Sequence, residues 1–173
     1  MDQKRYEGAR SRTDSKLRYA GVHLEELQSV RRGGDDFDRA HQESFLFHLI
    51  GVRDAFLQEL NIYHECNLAL DRVHIESLTK ALKGSGKRSQ AIETLTRLEA
   101  DSSSWFSRAK EMRDHSTHRH SVPRVYHIGG ERHGQVFLTN TSNGAPVETD
   151  FILLFERWKN EMASLISEMR KLN

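Results

Sequence analysis

The fold is decided by a long amphipathic stretch, FLFHLIGVRDAFLQELNIY at residues 45–63. Its large apolar side chains recur at steps of three or four over five turns: Phe45, Leu49, Val52, Phe56, Leu60 and Tyr63. Side chains at this spacing share one face of an α-helix, so the stretch predicts a long helix with one face in a core. Asp35 and Asp36 can cap its start.

A second long stripe near the end of the chain predicts another core helix, opened by Thr149 or Asp150. Its members are Phe151, Phe155, Trp158, Met162, Leu165 and Met169. Shorter patterns predict helices from Leu17 to the pair Gly33-Gly34 and over residues 75–82, 92–98 and 105–118. We expect Asp101-Ser102-Ser103 to cap the last of these.

A β-hairpin is predicted between the last two helices. Pro123 prevents a helix from continuing, and residues 125–128 and 135–139 flank the turn elements Gly129-Gly130 and His133-Gly134. The predicted fold class is therefore mainly α, an up-and-down bundle of four to five helices with a small β-hairpin inserted before the last helix.

The chain of 173 residues has the length of one domain. Residues 1–15 are polar and carry only Tyr6 as a large apolar anchor, so we expect a mobile N-terminal tail. Residues 16–173 are predicted to form a single helical domain.

Composition excludes several classes of protein. The 26 basic and 25 acidic side chains nearly cancel, which argues against a generic polyanion or membrane binder. No apolar run approaches the roughly 18–20 residues that span a bilayer, so no membrane partner is expected. Cys66 is the single cysteine, which excludes an internal disulfide and favours a reducing, cytoplasmic location. No phosphate-binding loop or dinucleotide fingerprint occurs, and no cofactor is predicted.

The side chains best suited to catalysis occur in the stretch RDHSTH at residues 113–118. The Arg113 side chain offers a permanently charged fork for a phosphate, and His118 can accept or donate a proton near neutral pH. Asp114 stands four residues before His118 and can hold its imidazole in one tautomer. Arg113 and His118 lie about 140° apart on a regular helix, so they converge only where the helix ends or distorts. Together they suffice for metal-independent RNA cleavage.

Three more basic residues follow the stretch. Arg119, His120 and Arg124 add positive charge beside it and are predicted to contact the phosphate backbone of a substrate.

Residues 113–118 contain an Arg, a polar residue, three more residues and a His, late in a predicted helix of the bundle. This pattern resembles the signature of the HEPN superfamily of helical ribonucleases and nucleotide-binding domains. The resemblance covers roughly residues 35–173. It implies that Arg113, Asp114 and His118 are catalytic, that two copies meet in a homodimer, and that the ribose 2′-hydroxyl of RNA is the nucleophile. It also implies a toxin or a defence or stress effector, with an antitoxin or another protein as a further partner.

Other interpretations stay open. A second pair at the same spacing, Arg18 and His23, is read as coincidental because aromatic Tyr19 follows the arginine in the first helix. Arg113 and His118 also suit a solvated helix end. The alternative function is a noncatalytic HEPN-like module that dimerises or binds a nucleotide or a protein.

A third possibility is a metal-binding helical bundle. Its candidate ligands are Asp114, His115, His118 and His120, with His64 and His74 as distant additions. The fixed charges of the neighbouring arginines oppose a divalent cation, so no metal ligand is predicted.

Overall fold

A computed structural model describes residues 2–29, 35–118, 122–140 and 143–172. Within them the helices are α1 (Gln3–Ser29), α2 (Asp35–Tyr63), α3 (Ile75–Gly84), α4 (Gln90–Ala100), α5 (Trp105–His118) and α6 (Phe151–Lys171). The strands are β1 (Arg124–Tyr126), β2 (Val136–Thr139) and β3 (Pro146–Asp150). This confirms a mainly helical fold with a small antiparallel sheet before the last helix, although the described residues hold six helices rather than four or five.

Helices α1 and α2 pack side by side in opposite directions. Tyr6 near the start of α1 contacts Tyr63 at the end of α2, with ring centroids 5.8 Å apart, and His23 contacts His41 near the other end. The predicted α2 stripe faces the core, and Tyr63 alone of its six members is only half-buried. The buried members are Phe45, Leu49, Val52, Phe56 and Leu60. The periodicity of α2 therefore identified the central helix of the bundle.

Helix α6 closes the core against α1 and α2. Its start is capped as predicted, since the Asp150 carboxylate accepts a hydrogen bond from the Ile152 amide at 3.0 Å. The Phe155 ring stacks on Phe45 with centroids 4.4 Å apart. At the far end, Arg170 donates from Nε and Nη2 to the buried Glu59 of α2. It also donates from Nη1 to Asp14 of α1 at 2.7 Å, so one guanidinium links three helices.

The predicted mobile tail is corrected by the structure, because residues 3–15 form the first half of α1. This segment has few apolar residues, but its side chains meet partners distant in sequence. Thr13 is buried, Tyr6 packs on Tyr63, and Asp14 binds Arg170. Contacts with α2 and α6 therefore supply what local composition lacks.

The sheet contains the predicted hairpin and one further strand. Val125 pairs with Phe137 in the antiparallel register of β1 and β2, and positive φ angles at Gly129, Gly130 and Gly134 let the chain turn between them. Strand β3, which the sequence did not predict, pairs irregularly with β2 and leads directly into α6. The sheet thereby connects α5 to α6.

The long helices are amphipathic rather than apolar throughout. Among the helices of the described ranges, none combines the length and the apolar character needed to cross a membrane.

Candidate functional site

Helix α5 carries the predicted catalytic stretch, and its local sequence explains where that stretch lies. Ser104, one residue later than the predicted cap, accepts a hydrogen bond from the Ser107 amide at 3.0 Å. The buried face of the helix consists of Phe106, Ala109 and Met112. Arg113 follows Met112 and therefore lies at the edge of this face, with a quarter of its side chain exposed.

The end of α5 stays regular. The hydroxyls of Ser116 and Thr117 donate to the Arg113 carbonyl at 3.0 and 2.8 Å, and the helix continues to His118. Positions 113 and 118 therefore lie about 140° apart around the helix axis, without a distortion that brings them together. The His118 side chain, Arg119 and His120 lie outside what the structure describes, so the pairing of Asp114 with His118 stays a prediction.

The Arg113 side chain lines a groove of about 290 Å³ between α1, α2 and α5. The groove also holds Arg12 and Lys16 of α1, and Asp54 of α2 is its one carboxylate among the described residues. Its apolar surface comes from α2 residues Phe47, Ile50, Gly51 and Ala55. Three cations against one anion make it a positively charged concavity.

The Arg113 guanidinium is only partly satisfied. Its Nε lies 3.0 Å from the Asp114 carboxylate, which is within ion-pair range. The same buried Nε makes no well-oriented hydrogen bond to any of the described residues. The N–H bond is therefore misaligned with the carboxylate, and hydrogen-bond strength falls steeply with misalignment. The Nε itself is buried beside Asp114, so an anion in the groove would meet the exposed quarter of the Arg113 side chain.

Lys16 is held in the groove by its contacts with α2. Its Nζ lies 4.7 Å from the centre of the Phe47 ring, a cation–π distance. The stem passes Gly51 so closely that a Cβ at that position would lie 3.3 Å from Lys16 Cδ. Burial and the neighbouring Arg12 lower the pKa of the Lys16 ammonium, whereas Asp54 opposes this shift.

A cluster of three histidines adjoins the groove. His23 Nδ1 lies 3.2 Å from His41 Nδ1, and the His23 ring stacks on His48 with centroids 5.5 Å apart. Burial lowers the pKa of the His48 imidazole, and the positive charges of Lys16 and Arg12 contribute to the shift. Burial and His41 likewise lower the pKa of His23. Both imidazoles are therefore biased toward the neutral form.

The structure places Arg124 differently from an exposed phosphate contact. Its side chain is 1% exposed, and Nη2 donates to Gln42 Oε1 at 2.8 Å. Asp38 lies 3.8 Å from Nη1, and the guanidinium packs over the Phe151 ring. Arg124 thus joins β1 to α2 and α6, a geometry that favours a structural role. Its predicted contact with substrate has no support from this arrangement.

The described part of the structure shows no cluster of ligands that would support the metal-binding alternative. Within the described ranges, no group of three His, Cys, Asp or Glu side chains converges as metal ligands do. The side chains of two candidate ligands, His118 and His120, lie outside those ranges. Cys66 is half-buried, and burial raises the pKa of its thiol, which disfavours a reactive thiolate.

Sequence reasoning missed Arg12 and Lys16 as members of the site. They stand about a hundred positions before Arg113, in or just after the segment expected to be a tail, and no motif connects them to it. Only the packing of α1 against α2 brings them to the same groove.

Comparisons of the chain with protein-family models, with curated proteins and with solved structures find no match.

Proposed function

We propose that the protein is a HEPN-like, metal-independent endoribonuclease in which Arg113 binds the scissile phosphate and His118 transfers protons. The observation that carries this proposal is the Arg113 side chain in a groove with Arg12 and Lys16, where three cations face the single carboxylate of Asp54 among the described lining residues. A phosphodiester suits this groove because it offers charge and acceptor oxygens together.

The chemistry follows from these groups. A base removes the proton from the ribose 2′-hydroxyl, whose oxygen forms a bond to the adjacent phosphorus. The bond from phosphorus to the 5′-oxygen breaks, and an acid gives that oxygen a proton. The products are a 2′,3′-cyclic phosphate and a 5′-hydroxyl. Arg113 stabilises the charge that develops on the phosphoryl oxygens, as a preorganised cation does in other active sites.

A dimer belongs to the proposal because one imidazole cannot be the free base and the protonated acid at the same moment. Two copies of His118, one from each protomer, would supply both forms. Light scattering at micromolar concentration is expected to give the mass of a dimer, and a monomer would contradict this part of the proposal.

The decisive experiment is cleavage of a broad panel of RNAs followed by analysis of the product ends. We expect 2′,3′-cyclic phosphates and an unchanged rate in a chelator, because no step uses a divalent ion. An activity lost on chelation and restored by zinc would favour the metal-binding bundle. If no RNA in the panel is cleaved, the noncatalytic binding module becomes the better interpretation. The observation that favours it is the Asp114 carboxylate beside Arg113, which partly neutralises the charge of the guanidinium.

The biological setting belongs to the proposal as well. A toxin or defence effector held by an antitoxin follows from the resemblance alone. A cytoplasmic location is supported by the single cysteine.

A further inference from the structure

A large cavity lies between α3 and α4, in a part of the molecule that the proposed ribonuclease does not use. It is a groove of about 1240 Å³, and it shares no lining residue with the Arg113 groove. The two helices form a hairpin around the turn at Gly86, whose φ of 69° is in the left-handed region.

The floor of this groove is aliphatic. Ile75, Leu82 and Ile92 supply it, and each is less than a tenth exposed. No Phe, Tyr, Trp or His is among the described residues that line it. Single-stranded RNA binds to aromatic platforms on which its bases stack, so this floor suits aliphatic side chains better than bases.

The rim of the groove is basic. Five exposed cations surround it, against the two carboxylates of Glu76 and Glu93. The cations are Lys80, Lys83, Lys87, Arg88 and Arg97. None of the five forms a salt bridge within the described part of the chain. The cap of α4 at Ser89 adds the positive end of a helix dipole.

The volume of the groove is close to that of a short helix. A cylinder about 10 Å wide and about 15 Å long, the envelope of some ten helical residues, has a volume of about 1200 Å³. Helices α3 and α4 have 10 and 11 residues, so they can flank a segment of that length.

We infer that the α3–α4 groove binds an amphipathic helix of a protein partner, one with aliphatic residues on one face and Asp or Glu along both edges. The aliphatic floor takes the apolar face, and the basic rim pairs with the acidic edges. Charge complementarity selects an acidic segment over a basic one.

The test is fluorescence anisotropy with the full chain and a labelled synthetic helix of about 14 residues, with Leu at steps of three and four, Glu at the positions that flank the Leu face, and Ala on the opposite face. We expect saturable binding that weakens with added salt. The same peptide with Lys for Glu, and a Glu peptide with Ser for Leu, should not bind. Failure of the Leu–Glu peptide to bind, or equal binding of the Lys peptide, would overturn the proposal.

Charge-reversal substitutions at exposed residues test where the peptide binds, because changes at exposed positions preserve the fold. K83E with R88E should weaken binding about tenfold or more. K110E with K171E reverses two exposed charges that line none of the grooves described here, and it should leave binding unchanged. Equal losses in the two double variants would show unspecific attraction and reject the groove.

The last measurement is the binding of a single-stranded RNA with as many nucleotides as the peptide has residues. RNA binding that is lost in K83E with R88E, together with no peptide binding, would make the groove a nucleic-acid track instead. RNA cleavage should remain in that double variant, so the ribonuclease proposal and this one can fail separately.

Discussion

The chain contains two Arg-x-x-x-x-His pairs, and the structure places them in different surroundings. Arg18 lies on the surface of α1, where it donates to Ser15 at 2.9 Å and its guanidinium lies over the neighbouring Tyr19 ring. His23 is half-buried among other histidines. Arg113 instead projects into a positively charged groove shared by three helices. Identical spacing therefore does not determine chemistry, which depends on what the fold brings to each residue.

The difference lies in which helices meet at each pair. Arg18 lines neither of the two grooves described above. The histidine of that pair, His23, has ring contacts with His41 and His48. Around Arg113 the third helix, α1, contributes two further cations. A site for a polyanion needs this convergence, because a single exposed cation gains little from ion pairing in water.

The largest expected effect separates the two pairs by RNA cleavage. Arg113→Ala and His118→Ala should each lower kcat by about 10²–10⁴-fold, because each removes a group that acts in the transition state. Arg18→Ala should leave the rate unchanged, since Arg18 has only local contacts. Single-turnover cleavage measures the rates, and circular dichroism checks that the variants remain helical.

His23→Ala is the less clean control, because it removes a ring from the histidine cluster and should lower the melting temperature. We still expect its turnover to match the wild type once the protein is folded. Wild-type rates in both Arg113→Ala and His118→Ala, or equal losses in Arg18→Ala, would show that the two pairs are not distinguished as proposed.

A smaller effect is expected for the cations that distinguish the Arg113 groove. Arg12→Ala and Lys16→Ala should each weaken RNA binding about tenfold with little change in kcat, because they contact phosphates away from the reacting bond. Anisotropy in a His118→Ala background measures affinity without cleavage. The slope of log affinity against log salt should fall by about 0.7 for each lost contact with a single strand.

Lys4→Ala is the matched control for these two variants, because Lys4 is an exposed cation on the same helix outside the groove. If it reduces affinity and salt dependence as much as Lys16→Ala, the attraction comes from α1 in general and the groove has no special part in it.

The elements that the sequence predicted are those with strong local periodicity. The stripes of α2 and α6 and the cap at Asp150 depend on residues within a few turns of each other, so they are visible in the chain itself. The first half of α1 was missed because Asp14 is held by Arg170, which stands 156 residues later. Strand β3 was missed because it begins at Pro146 and has Val147 as its one large apolar residue, so its sequence shows no strand pattern.

The residues of the candidate site likewise divide into those that a local pattern predicted and those that only distant contacts place there. Arg113 was found because a local motif identifies it, whereas Lys16 became part of the site through the packing of α1 on α2, where its stem passes close to Gly51. Arg124 was predicted to contact substrate because, with Arg119 and His120, it follows the Arg113–His118 stretch and would add positive charge beside it. Its burial against Gln42 and Phe151 depends on residues of α2 and α6 that no local pattern reveals.

The smallest expected effect concerns the first pair, whose histidine should influence stability rather than cleavage. The pKa values of His23 and His48 are lowered in the folded protein, below the ordinary value of 6.5. Above that pH the imidazoles are neutral in both states and contribute no pH dependence. As the pH falls below it, the unfolded chain takes up protons that the folded chain resists, so the free energy of unfolding decreases until the pH is below the folded pKa values.

Urea unfolding measured from about pH 7.5 to about pH 5.5 should detect this decrease. We expect less than about 1 kcal/mol for each histidine, since the rings are only partly removed from water. His48→Phe keeps a ring against Tyr19 and His23 but cannot titrate, so its unfolding midpoint should depend less on pH than that of the wild type. His74→Gln, at an exposed position before α3, should retain the wild-type dependence. A His48→Phe profile parallel to the wild type would show that the cluster does not couple protonation to folding, and the contrast between the two Arg and His pairs would then depend on cleavage alone.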